Sequence, residues 1–290
     1  MKKYYTCCRE GPALVVDTIV RLDNKPKPPI KWAGGKSQLL TQLRPLFPPE
    51  FSRYSEPFVG GGAVFFDLQP TEAVLIDSNF ELINFYQVIK QDLDALLDDL
   101  RKHQNKEDYY YYLRALDPAQ MDSVARASRF LFLNKTGYNG LWRVNRQGRH
   151  NVPYGKYKNP QFLDEDNLRQ VSQALNSARL VWGDFSEVLK YAVRGTFVYF
   201  DPPYHPLTRT ANFTSYTSDA FDEKDQYRLA EVFRKLDALG CYVMLSNSAT
   251  DFIREIYRGY DFKTVYARRT INCRSDRRGP ITELVIRNYS

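Results

Sequence analysis

The run Phe197-Val198-Tyr199-Phe200, followed at once by Asp201-Pro202-Pro203-Tyr204, constrains this chain more than any other stretch. Four apolar residues that stop at two prolines read as a buried strand, because proline lacks the N–H that a sheet ladder needs. Such a strand delivers a rigid turn at its carboxyl end. The turn can fix the Asp201 carboxylate, a proline carbonyl and the Tyr204 ring around a flat, amine-bearing ring. In the plainer reading Asp and Pro only set turn geometry, so the neighbouring motifs must decide.

Strands and helices alternate around this run. Short strands are predicted at 54–57, 73–77, 180–184, 196–200 and 242–246, with a terminal antiparallel pair at 264–268 and 282–288. The leucines at 39, 40 and 43 mark a helix face, and apolar residues at 82, 85, 86, 89, 93, 96, 97 and 100 predict one long amphipathic helix. Another helix is expected near 222–239, and Tyr109–Tyr112 are expected in a helix as core. Residues 142–152 carry hairpin turn chemistry around Gln147-Gly148. The pattern predicts an α/β fold: a doubly wound sheet built from 30–80 and 164–290, interrupted by an inserted, mainly helical domain at 81–163 that contains the hairpin. Residues 1–29, ending in Lys25-Pro26-Lys27-Pro28-Pro29, read as a loosely attached extension.

With 290 residues, 43% hydrophobic and 26% charged, the chain has the makings of a globular protein of one or two domains. No apolar stretch approaches the roughly 20 residues that span a bilayer, and the N-terminus does not resemble a secretory signal. Cys7 and Cys8 are adjacent, Cys241 and Cys273 stand alone, and the histidines at 103, 150 and 205 are scattered. That spacing builds no metal site and predicts reduced thiols in the cytoplasm. The net charge of +7 is unevenly spread. Between Asp122 and Asp164 there is no acid, while Arg126, Arg129, Lys135, Arg143, Arg146, Arg149, Lys156 and Lys158 all fall inside. A solvated basic face is the ordinary source of such a cluster. A long segment purged of acids and interleaved with Tyr138, Trp142, Tyr154 and Tyr157 reads better as a footprint for nucleic acid.

Glu56-Pro57-Phe58-Val59-Gly60-Gly61-Gly62 follows the first strand, and its glycines can bring backbone close to a cofactor before a helix starts. The run does not fit G-x-G-x-x-G, since Ala63 and Phe65 occupy the required glycine positions. Asp77 ends the second strand, where an acid can bond a ribose hydroxyl or merely cap the next helix. Beside the glycine turn, the ribose role is favoured. Gly34-Gly35-Lys36-Ser37 is not a P-loop, because the first glycine would have to be residue 30, which is Ile. Lys36 and Trp32 are better suited to a small zwitterionic ligand. Methylation at cytosine carbon 5 needs a thiolate, usually after proline, and no cysteine here follows proline.

Taken in order, Lys31-Trp32-Ala33-Gly34-Gly35-Lys36, the Glu56–Gly62 turn, Asp77, Gly137-Tyr138-Asn139-Gly140-Leu141-Trp142-Arg143, Asn151-Val152-Pro153-Tyr154-Gly155-Lys156-Tyr157 and Asp201–Tyr204 resemble the Dam-type family of DNA adenine-N6 methyltransferases. The resemblance covers about residues 30–289. It implies a methyltransferase sheet, S-adenosyl-L-methionine as methyl donor, double-stranded DNA as substrate and GATC as target, with an inserted target-recognition domain and no obligate protein partner. Donor contacts would be Trp32, Lys36, Pro57, Phe58, Gly60, Asp77, Asp184, Phe185 and Asp201. Further DNA contacts would be Lys31 and Tyr157.

The residues themselves suggest how such chemistry would run. Asp201 and the Pro202 carbonyl could accept both hydrogens of adenine N6 and aim its lone pair at the methyl group, with Pro203 stiffening the turn and Tyr204 stacking on a flipped base. His205 is read as a solvent-facing loop residue in preference to a general base. Arg143 can fork to guanine, Leu141 and Pro153 can press on a thymine methyl, Asn139 can pair with an orphaned base, and Tyr138 can wedge. Arg268, Arg269, Arg274, Arg277 and Arg278 suit phosphate contacts. The alternative readings are a methyltransferase acting on an amino group of structured RNA, a catalytically silent DNA-binding module and a nucleotide-hydrolysing enzyme.

Overall fold

The computed structural model describes residues 25–207, 221–267 and 281–290. Seven strands form one sheet: β1 Arg53–Glu56, β2 Ala73–Asp77, β3 Ala178–Trp182, β4 Thr196–Phe200, β5 Tyr242–Ser248, β6 Asp261–Ala267 and β7 Ile281–Arg287. Their spatial order is β3-β2-β1-β4-β5-β7-β6, with β1 to β5 parallel and β7 antiparallel to both its neighbours. The expected alternation and closing antiparallel pair are therefore present. β3 starts and ends two residues early, because Gly183 and Asp184 leave the ladder to form the next turn.

β4 is buried along its whole length, and its side chains alternate between two cores. Phe197 and Tyr199 join the core under α3 (Phe80–Gln91), α4 (Leu93–Leu100), α6 (Ser123–Thr136) and α7 (Glu165–Leu175). Val198 and Phe200 join the core under α8 (Glu223–Ala238) and α9 (Asp251–Ile256). Period-2 alternation into two apolar layers is what makes this strand purely hydrophobic.

The long helix expected over 81–100 is broken into α3 and α4 at Asp92, which has φ −133° and ψ 39°. The helix expected after Lys36 is only a 3-10 turn and α1 (Leu40–Leu43), with Pro45 in the 3-10 turn that follows. In α5 (Glu107–Ala115) Tyr110 is fully buried, but Tyr112 is 62% exposed and Tyr111 is also exposed, since consecutive helical residues cannot share one face. Tyr110, Leu113, Phe132 and Leu133 form a small separate core. Phe130 and Leu131 of the same α6 pack into the sheet-side core, so this helix ties the two together. Residues 143–151 fold back through a single antiparallel bridge, Val144 to His150, without a longer ladder.

The end of the expected loose extension is fastened. Asn167 exchanges hydrogen bonds with the Lys27 backbone at 2.8 and 3.0 Å, and Lys25 reaches Asp67 at 3.2 Å. The arginines at 268, 269, 274, 277 and 278 lie outside the described residues.

Candidate active site

Asp201 stands just beyond β4, at the carboxyl edge of the parallel strands. Its Oδ1 is 2.7 Å from Lys36 Nζ, and the Lys36 side chain is only 4% exposed against 19% for Asp201. Lys36 Nζ also donates to the Gly34 carbonyl at 2.7 Å and lies 4.9 Å from the Tyr204 ring centre. Burial pushes the Asp201 carboxyl up from its ordinary value, and the Lys36 charge opposes that push. Lys36 thus offsets part of the cost that burial imposes on the Asp201 carboxylate.

Glu56, at the end of β1, is the second acid of this cluster. It is pushed up to about 8, first by burial and further by the nearby Asp201 charge. Its Oε2 accepts from the Tyr54 hydroxyl at 2.9 Å and from Phe65 N at 3.2 Å. Burial raises both acids, and with its carboxyl at about 8 Glu56 is mostly protonated near neutrality.

The turn itself is held from behind by residues the sequence reading did not single out. Gln226 Nε2 donates to the Pro203 carbonyl at 3.0 Å, and Asn247 Nδ2 donates to Gln226 Oε1 at 3.1 Å. Asn247 Oδ1 accepts from His205 N at 3.0 Å, while Ser248 Oγ donates to the His205 carbonyl at 2.6 Å. The Tyr204 hydroxyl donates to Glu283 Oε2 at 2.7 Å, which ties the ring to β7. Pro202 is buried and Pro203 exposed. Polar residues inside strand β5 and on the inner face of α8 were the available sequence signal, since a buried amide must find partners. His205 is not solvent-facing: it stacks on Phe252 at 4.5 Å, and Nδ1 meets Thr250 Oγ1 at 3.1 Å.

The glycine turn lies beside this cluster. Gly60 has φ +46°, and a Cβ there would come within 2.6 Å of the Trp32 ring. Gly60 N donates to Asp77 Oδ2 at 3.1 Å, and Asn79 N donates to Asp77 Oδ1 at 2.9 Å. Burial raises the Asp77 carboxyl to about 6 against those two bonds. The capping of α3 falls to Asn79, whose side chain accepts from Leu82 N. A cavity of about 160 Å³ is lined by Pro57, Phe58, Ser78, Asp184 and Phe185 among others. Phe58 and Phe185 stack at 5.4 Å. Asp184 Oδ2 pairs with Arg228 at 2.6 Å. A larger cavity, about 780 Å³, sits at the opposite end of β1 to β3 beside Arg53, Lys90 and Arg179, and holds none of the sequence motifs.

A third group of residues meets on the α6 side. Lys31 Nζ lies 4.4 Å over the Tyr157 ring, and Asn139 N donates to the Tyr157 hydroxyl at 2.9 Å. Tyr138 N donates to the Pro153 carbonyl at 2.8 Å. Tyr138 is 52% exposed, and Leu141, Asn139, Arg143 and Pro153 are exposed too. Arg143 Nε donates to Asn151 Oδ1 at 2.8 Å, and among the described residues Arg143 has no carboxylate partner. Not all of the acid-free stretch is surface. Arg126 grips Glu81 and Arg129 is buried against the Leu113 and Arg114 carbonyls, so two of its cations serve the interior.

A sheet ordered β3-β2-β1-β4-β5-β7-β6, with acids at the carboxyl ends of β1, β2 and β4, is consistent with a methyltransferase fold. The chain belongs to the D12 class N6 adenine-specific DNA methyltransferase family, which matches residues 32–271. It is 43% identical over 271 residues to the Type II methyltransferase M1.LlaDCHI of Lactococcus lactis subsp. cremoris, covering 91% of this chain and 95% of that protein. It is 45% identical over 286 residues to the Type II methyltransferase M.MjaIII of Methanocaldococcus jannaschii (91% and 99%). With a DNA adenine methylase of Haemophilus influenzae it shares 36% identity over 267 residues (90% and 93%). The protein is thus an S-adenosylmethionine-dependent, adenine-specific DNA methyltransferase. The RNA reading finds no support in these matches. No helix among the described residues is long and apolar enough to cross a membrane.

The residues present suit that donor. At Gly60 the backbone approaches Trp32 more closely than a Cβ would allow, Phe58 and Phe185 stack along the cleft beside Ser78 as flat walls suited to a ring, and Asp77 offers a carboxylate acceptor at the glycine turn.

Proposed function

We propose that the protein methylates adenine N6 within GATC in duplex DNA after turning the base out of the helix. The observation that carries the catalytic part is the Asp201–Lys36 pair beside the Tyr204 ring, on a turn whose Pro203 carbonyl and Tyr204 hydroxyl are already engaged. Adenine N6 is a weak nucleophile because its lone pair is spread into the ring. Asp201 and the Pro202 carbonyl would each accept one amino hydrogen, which localises the lone pair and directs it toward the donor. The donor supplies an electrophilic methyl on sulfur. Lys36 would keep Asp201 ionised, and Tyr204, held through Glu283, would provide the face on which the extruded base stacks.

Trp32, Lys36, Pro57, Phe58, Gly60, Asp77, Asp184 and Phe185 would hold the donor. Residues 81–163 would form the target-recognition part, with 30–80 and 164–290 as the catalytic part. Support for this division comes from the separate small core around Tyr110 and Phe132 and from the exposed group Tyr138, Asn139, Leu141, Arg143 and Pro153. GATC rests on the likeness of Gly137–Arg143 and Asn151–Tyr157 to the Dam-type pattern. Arg277 and Arg278, outside the described residues, would touch phosphates.

The test is expression in a host without adenine methylation, followed by digestion of its DNA. Resistance to a nuclease blocked by GATC methylation, with sensitivity to one that requires it, is the expected result. Methyladenine found in a different sequence would refute GATC while leaving the chemistry standing.

A further inference from the structure

The loop that begins with Lys31 serves two sites with neighbouring residues. The Lys31 side chain lies over Tyr157 on the recognition side, whereas Trp32 lies against Gly60 on the donor side. Four residues on, Lys36 meets Asp201. What fixes this loop to the recognition turn is Asn134, fully buried near the end of α6. Its Oδ1 accepts from Lys31 N at 2.9 Å, and its Nδ2 donates to the Lys31 carbonyl at 2.8 Å and to the Gly140 carbonyl at 3.0 Å.

Every polar hydrogen of that amide is used, which only asparagine can do in so short a reach. Aspartate would present a charge to two carbonyls, and an apolar residue would leave the buried Gly140 carbonyl and the half-buried Lys31 N–H and carbonyl without this partner. Gly140 completes the joint. It has φ +63°, and a Cβ there would overlap the Lys31 stem, so the Tyr138–Gly140 turn presses directly on Lys31. The turn's Asn139 N in turn holds the Tyr157 hydroxyl.

We propose that Asn134 is a positioning residue that couples target reading to donor and catalytic geometry, by locking the Tyr138–Gly140 turn to the Lys31–Lys36 loop. The inference rests on the DNA-reading role given above to Lys31, Asn139 and Tyr157. Nothing in it requires Asn134 to touch DNA or donor. If the joint is rigid, a shift of the recognition turn on a correct site moves Lys31, and with it Trp32 and Lys36. Binding of DNA and of donor then become mutually dependent, and the dependence is the same measured from either side.

The experiment compares wild type, Asn134→Asp and Gly140→Ala. Each is titrated with S-adenosylhomocysteine and with duplexes carrying GATC or one substitution of it, separately and together. In the wild type S-adenosylhomocysteine is expected to tighten the GATC duplex by about fivefold or more, and the duplex to tighten S-adenosylhomocysteine equally. In both variants each ligand alone is expected to bind within about threefold of wild type, while the mutual tightening falls to about one. Their kcat falls with little change in KM for DNA, and their preference for GATC shrinks. Wild-type coupling retained in either folded variant overturns the proposal, as does a wild type with no coupling. Should Asn134→Asp fail to fold, Gly140→Ala, whose Cβ meets the flexible Lys31 stem, decides. A wild type that prefers another sequence corrects only the GATC reading, and the coupling is then measured on the preferred duplex.

Discussion

The turn after β4 and the exposed segment around Arg143, which follows α6, treat their polar groups in opposite ways. Around Asp201 the carboxylate, the Tyr204 hydroxyl, the Pro203 carbonyl and both sides of the His205 peptide are bonded within the protein. Around Arg143 the side chains are exposed, and Arg143 is without an ion pair among the described residues. Chemistry needs acceptors oriented before the substrate arrives, so that nothing must reorganise in the transition state. Reading needs donors that exchange water for a base edge and give it back when the sequence is wrong. The two regions should therefore fail differently when cut.

The largest effect is expected from Asp201→Ala. Loss of its acceptor is expected to lower kcat by about 1,000-fold or more, with the DNA dissociation constant within about threefold of wild type. Labelled-methyl incorporation and a binding titration check both halves, and activity within tenfold of wild type would remove Asp201 from the mechanism. Asp77→Ala tests the donor side alone. A charged hydrogen bond to ribose is worth about 1.5–3 kcal/mol, so calorimetry is expected to show donor affinity down by about 10- to 150-fold and DNA affinity unchanged. Unaltered donor affinity would return Asp77 to its observed duty of holding Gly60 and Asn79.

Lys36→Met tests the electrostatics of the turn. Removing the cation takes away the influence that lowers Asp201, so its protonation moves to higher pH. The acid limb of the kcat profile is expected to shift upward, and an unmoved limb would mean that Lys36 does not set the state of Asp201. The smallest effect concerns stability. Glu56 is raised to about 8 in the fold, above its ordinary carboxyl value. Its contribution is fully present below that ordinary value and is lost as pH rises through about 8. Between pH 6 and 9 the wild type is expected to lose melting temperature relative to Glu56→Gln, and parallel melting curves would exclude a buried neutral Glu56.

Most of the sheet was legible because parallel strands buried on both faces are apolar runs that end at turn residues, as at Phe200 and Asp77. The break at Asp92 was not, since apolar spacing carries through from α3 to α4 and only the backbone departs. The motifs located Asp201, Asp77 and the glycine turn. They did not locate Gln226, Asn247 or Glu283, which are distant in sequence and act through the turn. The acid-free stretch holds exposed and buried cations alike, and charge alone could not tell Arg143, which is exposed, from Arg129, which is buried.

Target choice is expected to rest on the segment around Arg143 and methyl transfer on the turn after β4. This is tested by measuring methylation by wild type and Arg143→Ala on GATC and on every duplex with one base pair of it replaced. A bidentate contact to guanine gives about 1–3 kcal/mol of discrimination. Arg143→Ala is expected to accept duplexes altered at one guanine almost as well as GATC and to keep its discrimination elsewhere. Equal loss on every duplex, with the wild-type preference intact, would contradict it.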